Sequence, residues 1–259
     1  MNKYKNILFE VDEGVATLTL NKPETLNALT FDMMYEVQDA LSHIEADLSI
    51  RALIQTSAGR GYCSGQDLRN RPTGGNFVDD IMDCYFKAFN GLRTCRVPVI
   101  TAINGVAAGG GFSLALTGDI LIAAKSAKFI QIFSRIGLVP DLGSTYLLPQ
   151  AIGRAAALKL MMTNDPITAD TALEVGMISD CVEDDQLIPV ARTMASKLAK
   201  GPTHALKMTR TLVDEVQGTA FEKQFRRELE VQMDLRESND GLEGVNAFLE
   251  KRATQFTGQ

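Results

Sequence analysis

Three glycines in a row, Gly109-Gly110-Gly111, separate an apolar run from a helix-forming one, and few chain paths have a use for that arrangement. Ahead of them Pro98-Val99-Ile100-Thr101-Ala102-Ile103 reads as a buried strand. Behind them Phe112-Ser113-Leu114-Ala115-Leu116 is apolar and favours a helix. Glycine has no Cβ, so a ligand can approach the backbone closely there. A helix start also offers N–H groups without intrahelical partners, which suit negative charge. That charge is either a phosphate or an oxyanion formed during a reaction. Gly105 and Gly110 have the first spacing of a Walker loop, but Gly111 stands where its lysine belongs, and no G-x-G-x-x-G occurs. The oxyanion is the better match.

Short strands and helices alternate on both sides of this unit. Residues 7–11 and 15–20 read as strands joined at Asp12-Glu13-Gly14, the second with a clear period of two. Thr30 caps a helix with Asp32 in its first turn and Met33, Val37, Ala40, Leu41 and Ile44 as its apolar stripe. Residues 52–56 form the next strand, 70–76 a polar surface loop and 77–94 a helix. Residues 119–124 and 128–132 read as strands, and helices follow from Gly143 and over 155–162. Thr168 and Gly176 frame a short helix. Beyond Asp184 only helices are expected, over 187–200, 203–217, 219–236 and 242–252. The pattern predicts an α/β core over residues 1–200 and a helical C-terminal subdomain over 201–259.

Composition removes several classes of function. The formal charge of −6 leaves no polybasic footprint for nucleic acid or an anionic membrane. The charged start reads as neither signal peptide nor anchor, and no run approaches a membrane span. Cys63, Cys84, Cys95 and Cys181 show no C-x-x-C pairing, so free thiols in a reducing cytoplasm are expected. His43 and His204 lack nearby acidic clusters, so no metal site is expected. Ser113 lies in a near miss of G-x-S-x-G without its last glycine, and no histidine is evident to complete a triad. Cys63 reads as packing, and Asp67 and Asp119 as loop and strand-end structure.

Four pieces in order then resemble the crotonase family, the enoyl-CoA hydratases and isomerases: Leu20-Asn21-Lys22-Pro23 with Leu26-Asn27-Ala28-Leu29, the segment 62–68, the glycine triplet, and Phe248-Leu249-Glu250-Lys251-Arg252. The likeness covers essentially the whole chain. Phe133-Ser134-Arg135-Ile136-Gly137-Leu138-Val139-Pro140-Asp141 and the tail Gln255-Phe256-Thr257-Gly258 are most similar to the phenylacetate-pathway branch, which contains 1,2-epoxyphenylacetyl-CoA isomerase.

The resemblance implies a spiral of ββα units, an acyl-CoA thioester as substrate and no cofactor beyond the coenzyme A that the substrate carries. It implies that backbone N–H groups of Gln66 and Gly110 grip the thioester oxygen and stabilise an enolate. The two glutamates of the family's hydratases fall at Ser113 and Phe133, and neither residue can move a proton near neutral pH. Asp141 is the remaining carboxylate of the stretch, and apolar neighbours such as Leu138, Val139 and Leu142 are expected to raise its pKa. For coenzyme A the resemblance implies Leu26, Ala28, Ser64, Asp67 and Leu68, with Phe248 and Lys251 approaching from a neighbouring subunit of a homotrimer or dimer of trimers. The expected activity is isomerisation of an unsaturated or epoxidised acyl-CoA. The alternatives are an enoyl-CoA hydratase and a non-catalytic acyl-CoA-binding subunit of a multienzyme complex.

Overall fold

The chain begins with a hairpin dictated by its turn. Glu13 and Gly14 both take positive φ, the two-residue geometry whose twist matches paired strands. β1 (Ile7–Asp12) and β2 (Val15–Leu20) therefore pair antiparallel, Ile7 opposite Leu20 and Asp12 opposite Val15. A computed structural model of the chain describes residues 3–67, 77–215, 237–250 and 252–258. α1 (Phe31–Ala46) starts where Thr30 Oγ1 accepts the Met33 N–H at 3.2 Å, and its whole expected apolar stripe is buried together with Met34.

From there the chain winds. β3 (Ala52–Ser57) and β4 (Gly61–Cys63) are followed by α2 (Phe77–Ile81), a π-helical turn over Met82–Phe86 and α3 (Lys87–Arg93). Next come β5 (Val99–Ile103), β6 (Val106–Ala108) and α4 (Gly110–Ala115), then β7 (Ile120–Ala124) and β8 (Lys128–Ile130). A 3-10 turn over Phe133–Ile136 leads to α5 (Ser144–Ile152) and α6 (Arg154–Thr163). β9 (Ile167–Thr168), α7 (Ala169–Glu174) and β10 (Asp180–Val182) complete the strands. One sheet has the order β1-β2-β3-β5-β7-β10 and the other β4-β6-β8-β9. Each pass thus puts one strand in the larger sheet and a short one in the smaller: β3 then β4, β5 then β6, β7 then β8. Apart from the β1–β2 and β8–β9 pairs the ladders are parallel.

Parallel sheets need cover on both faces, and the residues supply it. α8 (Leu187–Ala199) lays Leu187, Ala191, Ala195 and Ala199 on Val15, Ile54, Ile100 and Ile122 of the larger sheet. Alanine at every fourth position lets the helix lie close. The opposite face packs against α1, α3 and the smaller sheet through Leu18, Leu53, Met33, Phe112 and Phe129, all buried.

The C-terminal helices are fastened rather than loosely appended. Arg51 donates to Thr203 Oγ1 and the Gly201 carbonyl, both at 2.6 Å, at the start of α9 (Thr203–Glu215). Arg210 on α9 pairs with Asp119 at 2.7 Å and donates to the carbonyls of Arg93, Cys95 and Val97. α10 (Asn239–Glu250) holds the tail, since the buried Asp240 carboxylate accepts the N–H groups of Thr257 and Gly258 at 2.6 and 2.7 Å. The boundary drawn between residues 200 and 201 falls at the turn between α8 and α9. The helix expected over 219–236 and the loop expected over 70–76 lie outside the described residues. Among the described residues no helix is long and apolar enough to cross a membrane.

Candidate active site

Two backbone segments meet at the glycines singled out in the sequence. Leu29 and Gln66 form a parallel bridge in which Leu29 N donates to Gly65 O at 2.8 Å and Asp67 N donates to Leu29 O at 2.9 Å. In such a bridge the N–H of the middle residue points to the other side, so the Gln66 N–H faces away from Leu29. It faces the start of α4. A Cβ on Gly65, which has φ +95°, would stand 3.0 Å from the Ala108 carbonyl and 3.3 Å from Gly110 N. A Cβ on Gly110 would stand 3.7 Å from Gln66 N. The Gly110 N–H precedes the first intrahelical bonds, which run from Phe112 N and Ser113 N to Gly109 O at 2.9 and 3.1 Å. Two N–H groups from different segments therefore lie side by side.

Gly111 answers a different need. A Cβ there would come 2.3 Å from the Cys63 carbonyl oxygen and 2.7 Å from its carbonyl carbon. Close packing of α4 on β4 therefore needs Gly111, while Gly110 keeps the gap beside Gln66 free. Gly111→Ala is expected to destabilise the fold by about 1–3 kcal/mol or more, because backbone rather than a flexible side chain must yield. Thermal melting checks this; an unchanged midpoint would show that β4 and α4 separate easily.

The segments assigned to coenzyme A run alongside. Ser64 N donates to Leu26 O at 3.0 Å and Ser64 Oγ to Thr25 O at 3.2 Å. Asn27 is buried, and its side chain holds the strip flat by donating to Ala58 O and Gly61 O and accepting from Lys22 N. Leu26, Ala28, Ser64 and Asp67 thus share one strip next to the Gln66–Gly110 pair, with Ser64 exposed. Leu68, Lys251 and the side chain of Phe248 lie outside the described residues.

Beyond Leu142, whose side chain reaches Gly110, opens a cavity of about 350 Å³, the size of a small organic group. Val78, Ile81, Met82, Tyr85, Phe86 and Phe89 line one wall, continued by the polar Asn90 and Arg93; Asp141, Leu142, Gly143, Tyr146 and Leu147 line the other, with Thr117 between. Asp141 keeps an exposed outer surface, yet its carboxyl sits against the apolar lining, and desolvation there raises its pKa from the ordinary value against the pull of its own backbone N–H. Leu142 reaches back to Gly110, where an added Cβ would meet its Cδ1 at 2.9 Å. The turn carrying Asp141 therefore packs directly on the start of α4.

Ser113 and Phe133, the two positions expected from the resemblance to match the hydratase glutamates, carry no carboxyl group. Ser113 is fully buried, and its Oγ donates to the backbone carbonyl of Asp141 at 2.9 Å. Phe133 is buried with its ring edge near Gly109, where an added Cβ would lie 3.8 Å away. The strand expected over 128–132 stops at Ile130 because Ile132 takes a left-handed conformation and the chain enters a 3-10 turn.

Other candidates fall away. Burial pushes the Cys63 thiol up to about 12, and its Sγ meets Asn27 O at 3.1 Å, so it is a packing residue and not a nucleophile. His43 packs edge-on against Phe9, His204 is exposed, and neither lines the cavity. Asp119 accepts the Val99 N–H and pairs with Arg210. Among the described residues no group of three or more His, Cys, Asp or Glu is placed to hold a metal ion.

The cavity wall contributed by α2, the π-turn and α3 was not recognised from sequence as a site. A signal was present. Ile81, Tyr85 and Phe89 repeat at four-residue spacing and turn inward, while Val78, Met82 and Phe86 repeat at the same spacing and stay exposed. Two apolar stripes on one helix exceed what a core needs. The π-turn between them also belongs to the kind of irregularity that collects at functional sites.

The family model for "Enoyl-CoA hydratase/isomerase" matches residues 10–259. The chain is 43% identical to 1,2-epoxyphenylacetyl-CoA isomerase of Escherichia coli K12, over 98% of each chain. It is 38% identical to a probable enoyl-CoA hydratase of Rhodobacter capsulatus, over 99% of each. A crystal structure of a putative enoyl-CoA hydratase from Streptomyces coelicolor A3(2) superposes with a TM-score of 0.93 at 33% identity, covering 100% of this chain and 96% of that one.

Proposed function

The chain belongs to the enoyl-CoA hydratase/isomerase family and has its crotonase fold, and we propose that within the family it is an acyl-CoA isomerase with Asp141 as its acid–base group. One observation carries the reading: among the described residues Asp141 is the one carboxylate lining a mostly apolar cavity, on a turn packed against the start of α4 where the Gln66 and Gly110 N–H groups are neighbours; the resemblance adds that serine and phenylalanine stand where hydratases carry glutamates. The thioester oxygen sits between Gln66 N–H and Gly110 N–H, and the acyl chain enters the cavity. Asp141 takes a proton from C2 of a 3-enoyl-CoA. The electron pair spreads to C4 and to the thioester oxygen, and the two N–H groups stabilise the oxyanion on that oxygen. The protonated carboxyl then returns the proton at C4, giving the conjugated 2-enoyl-CoA with no net change in atoms.

The aromatic side chains of Tyr85, Phe86 and Phe89 on one wall and Tyr146 on the other suit a ring-bearing acyl group, so an epoxidised aryl acyl-CoA is the second substrate to test. A reducing cytoplasm is the compartment this reading assigns to the enzyme, and its four free cysteines are compatible with that. It assembles as a trimer or paired trimers. Leu242 on α10 is 55% exposed in the isolated chain, an apolar surface that a neighbouring subunit would cover. A monomer by sedimentation at micromolar concentration would reject that assembly.

A panel of acyl-CoA substrates followed by mass and ultraviolet absorbance tests the activity. Conversion of 3-enoyl-CoA without mass change supports isomerisation; binding without turnover of any substrate would leave only the acyl-CoA-binding subunit.

The acid limb of the pH profile gives an independent check. Asp141 acts as base only when ionised, and desolvation raises its pKa. kcat/KM is therefore expected to fall with decreasing pH around a midpoint above the ordinary carboxylate value of about 3.9. A limb at or below that value would contradict the apolar setting of the base.

A further inference from the structure

Ser113 occupies a position where the hydratases of the family have a catalytic acid, and here its hydroxyl is already committed. Its Oγ lies 2.9 Å from the Asp141 carbonyl and 3.4 Å from the Gly109 carbonyl. A hydroxyl has one proton to donate, and the shorter contact takes it. The second bond to the Asp141 carbonyl comes from Ser144 N at 3.0 Å. Ser144 is itself fully buried, and its Oγ exchanges hydrogen bonds of 2.9 and 3.2 Å with the buried Gln131 side chain. Both lone pairs of one carbonyl are thus taken by buried donors. Immediately after it, Leu142 and Gly143 take left-handed backbone with φ of 50° and 86°. For leucine that conformation persists only where its surroundings hold it.

From this geometry we infer that Ser113 is a positioning residue for Asp141. It ties the turn that carries the base to α4, whose first residue supplies the Gly110 N–H. The separation between base and oxyanion donors is then set by this buried hydrogen bond together with the packing of Leu142 on Gly110. The inference rests on the reading of Asp141 as base.

The test compares Ser113→Ala, Ser113→Cys and Asp141→Asn in 3-enoyl-CoA isomerisation, with acyl-CoA binding, melting and the pH profile measured alongside. Ser113→Ala is expected to lower kcat by about 10–10²-fold, the cost of small misplacement of a reacting group, while KM changes little. Its acid limb is expected to move down toward the ordinary carboxylate range as the freed turn lets the carboxyl leave the apolar lining. Ser113→Cys keeps a weak donor and should recover part of kcat. Should the alanine variant melt early, the cysteine variant carries the same pH readout. Normal kcat and an unmoved acid limb in both Ser113 variants, with Asp141→Asn inactive, would overturn the inference and leave the base assignment standing. Normal turnover by Asp141→Asn would overturn both.

Discussion

Asp141→Asn is expected to cut turnover of a 3-enoyl-CoA by about 10² or more while leaving acyl-CoA affinity nearly unchanged. Asparagine matches aspartate in size and polarity, so the cavity wall shared with Leu142 and Tyr146 should keep its shape. The bonds that hold the turn, from Ser113 Oγ and Ser144 N, end on the backbone carbonyl and not on the carboxyl, so the substitution spares them. What disappears is the capacity to accept the C2 proton. The proposed grip on the thioester is made by backbone N–H groups of Gln66 and Gly110, and no side-chain change at residue 141 removes it. Turnover and affinity should therefore separate, and kcat should fall far more than KM rises. If the asparagine variant retains near-normal turnover, Asp141 is only a turn residue. Asp67, on the strip beside Gln66, would then be the next base to test.

Much of the scaffold was legible because its signals are local. Thr30 and Thr168 each sit ahead of a helix, and in both cases the hydroxyl accepts the N–H three residues on. The turn at Glu13-Gly14 needs two positive φ angles and announces itself by composition. The glycine triplet pointed to close approach, and the structure divides that role: Gly110 beside Gln66 N, Gly111 against the Cys63 backbone. The short strands were harder. β4, β6, β9 and β10 have two or three residues each, too few to establish a period of two, and their neighbours alone define them. The bond from Ser113 to the Asp141 carbonyl spans 28 positions and was equally invisible, since a serine on an apolar helix carries no mark of its partner. The same holds for the cavity, whose two walls come from segments about sixty residues apart.

Hydration of crotonyl-CoA should be slower than isomerisation of a good 3-enoyl-CoA by about 10² or more in kcat/KM. Adding water across C2 and C3 requires a water held in place, deprotonated as it attacks, and a proton delivered to C2. Two carboxyl groups divide those tasks when glutamates occupy both positions. Here Ser113 points its single donor at the Asp141 carbonyl and has no charge to attract the attacking water's proton. Phe133 is 7% exposed and presents a ring edge toward Gly109, so at the position where the resemblance puts a second acid it offers an apolar ring and no carboxyl. Among the described residues Asp141 is the one carboxylate lining the cavity, and an isomerase needs only one such group because the proton it takes from C2 is the proton it returns at C4. Isomerisation creates the conjugated chromophore and keeps the mass, whereas hydration destroys it and adds one water, so absorbance and mass distinguish the two on the same samples. Comparable kcat/KM values for the two reactions would mean that a single carboxylate suffices for hydration, and the division between the two activities drawn from Ser113 and Phe133 would fail.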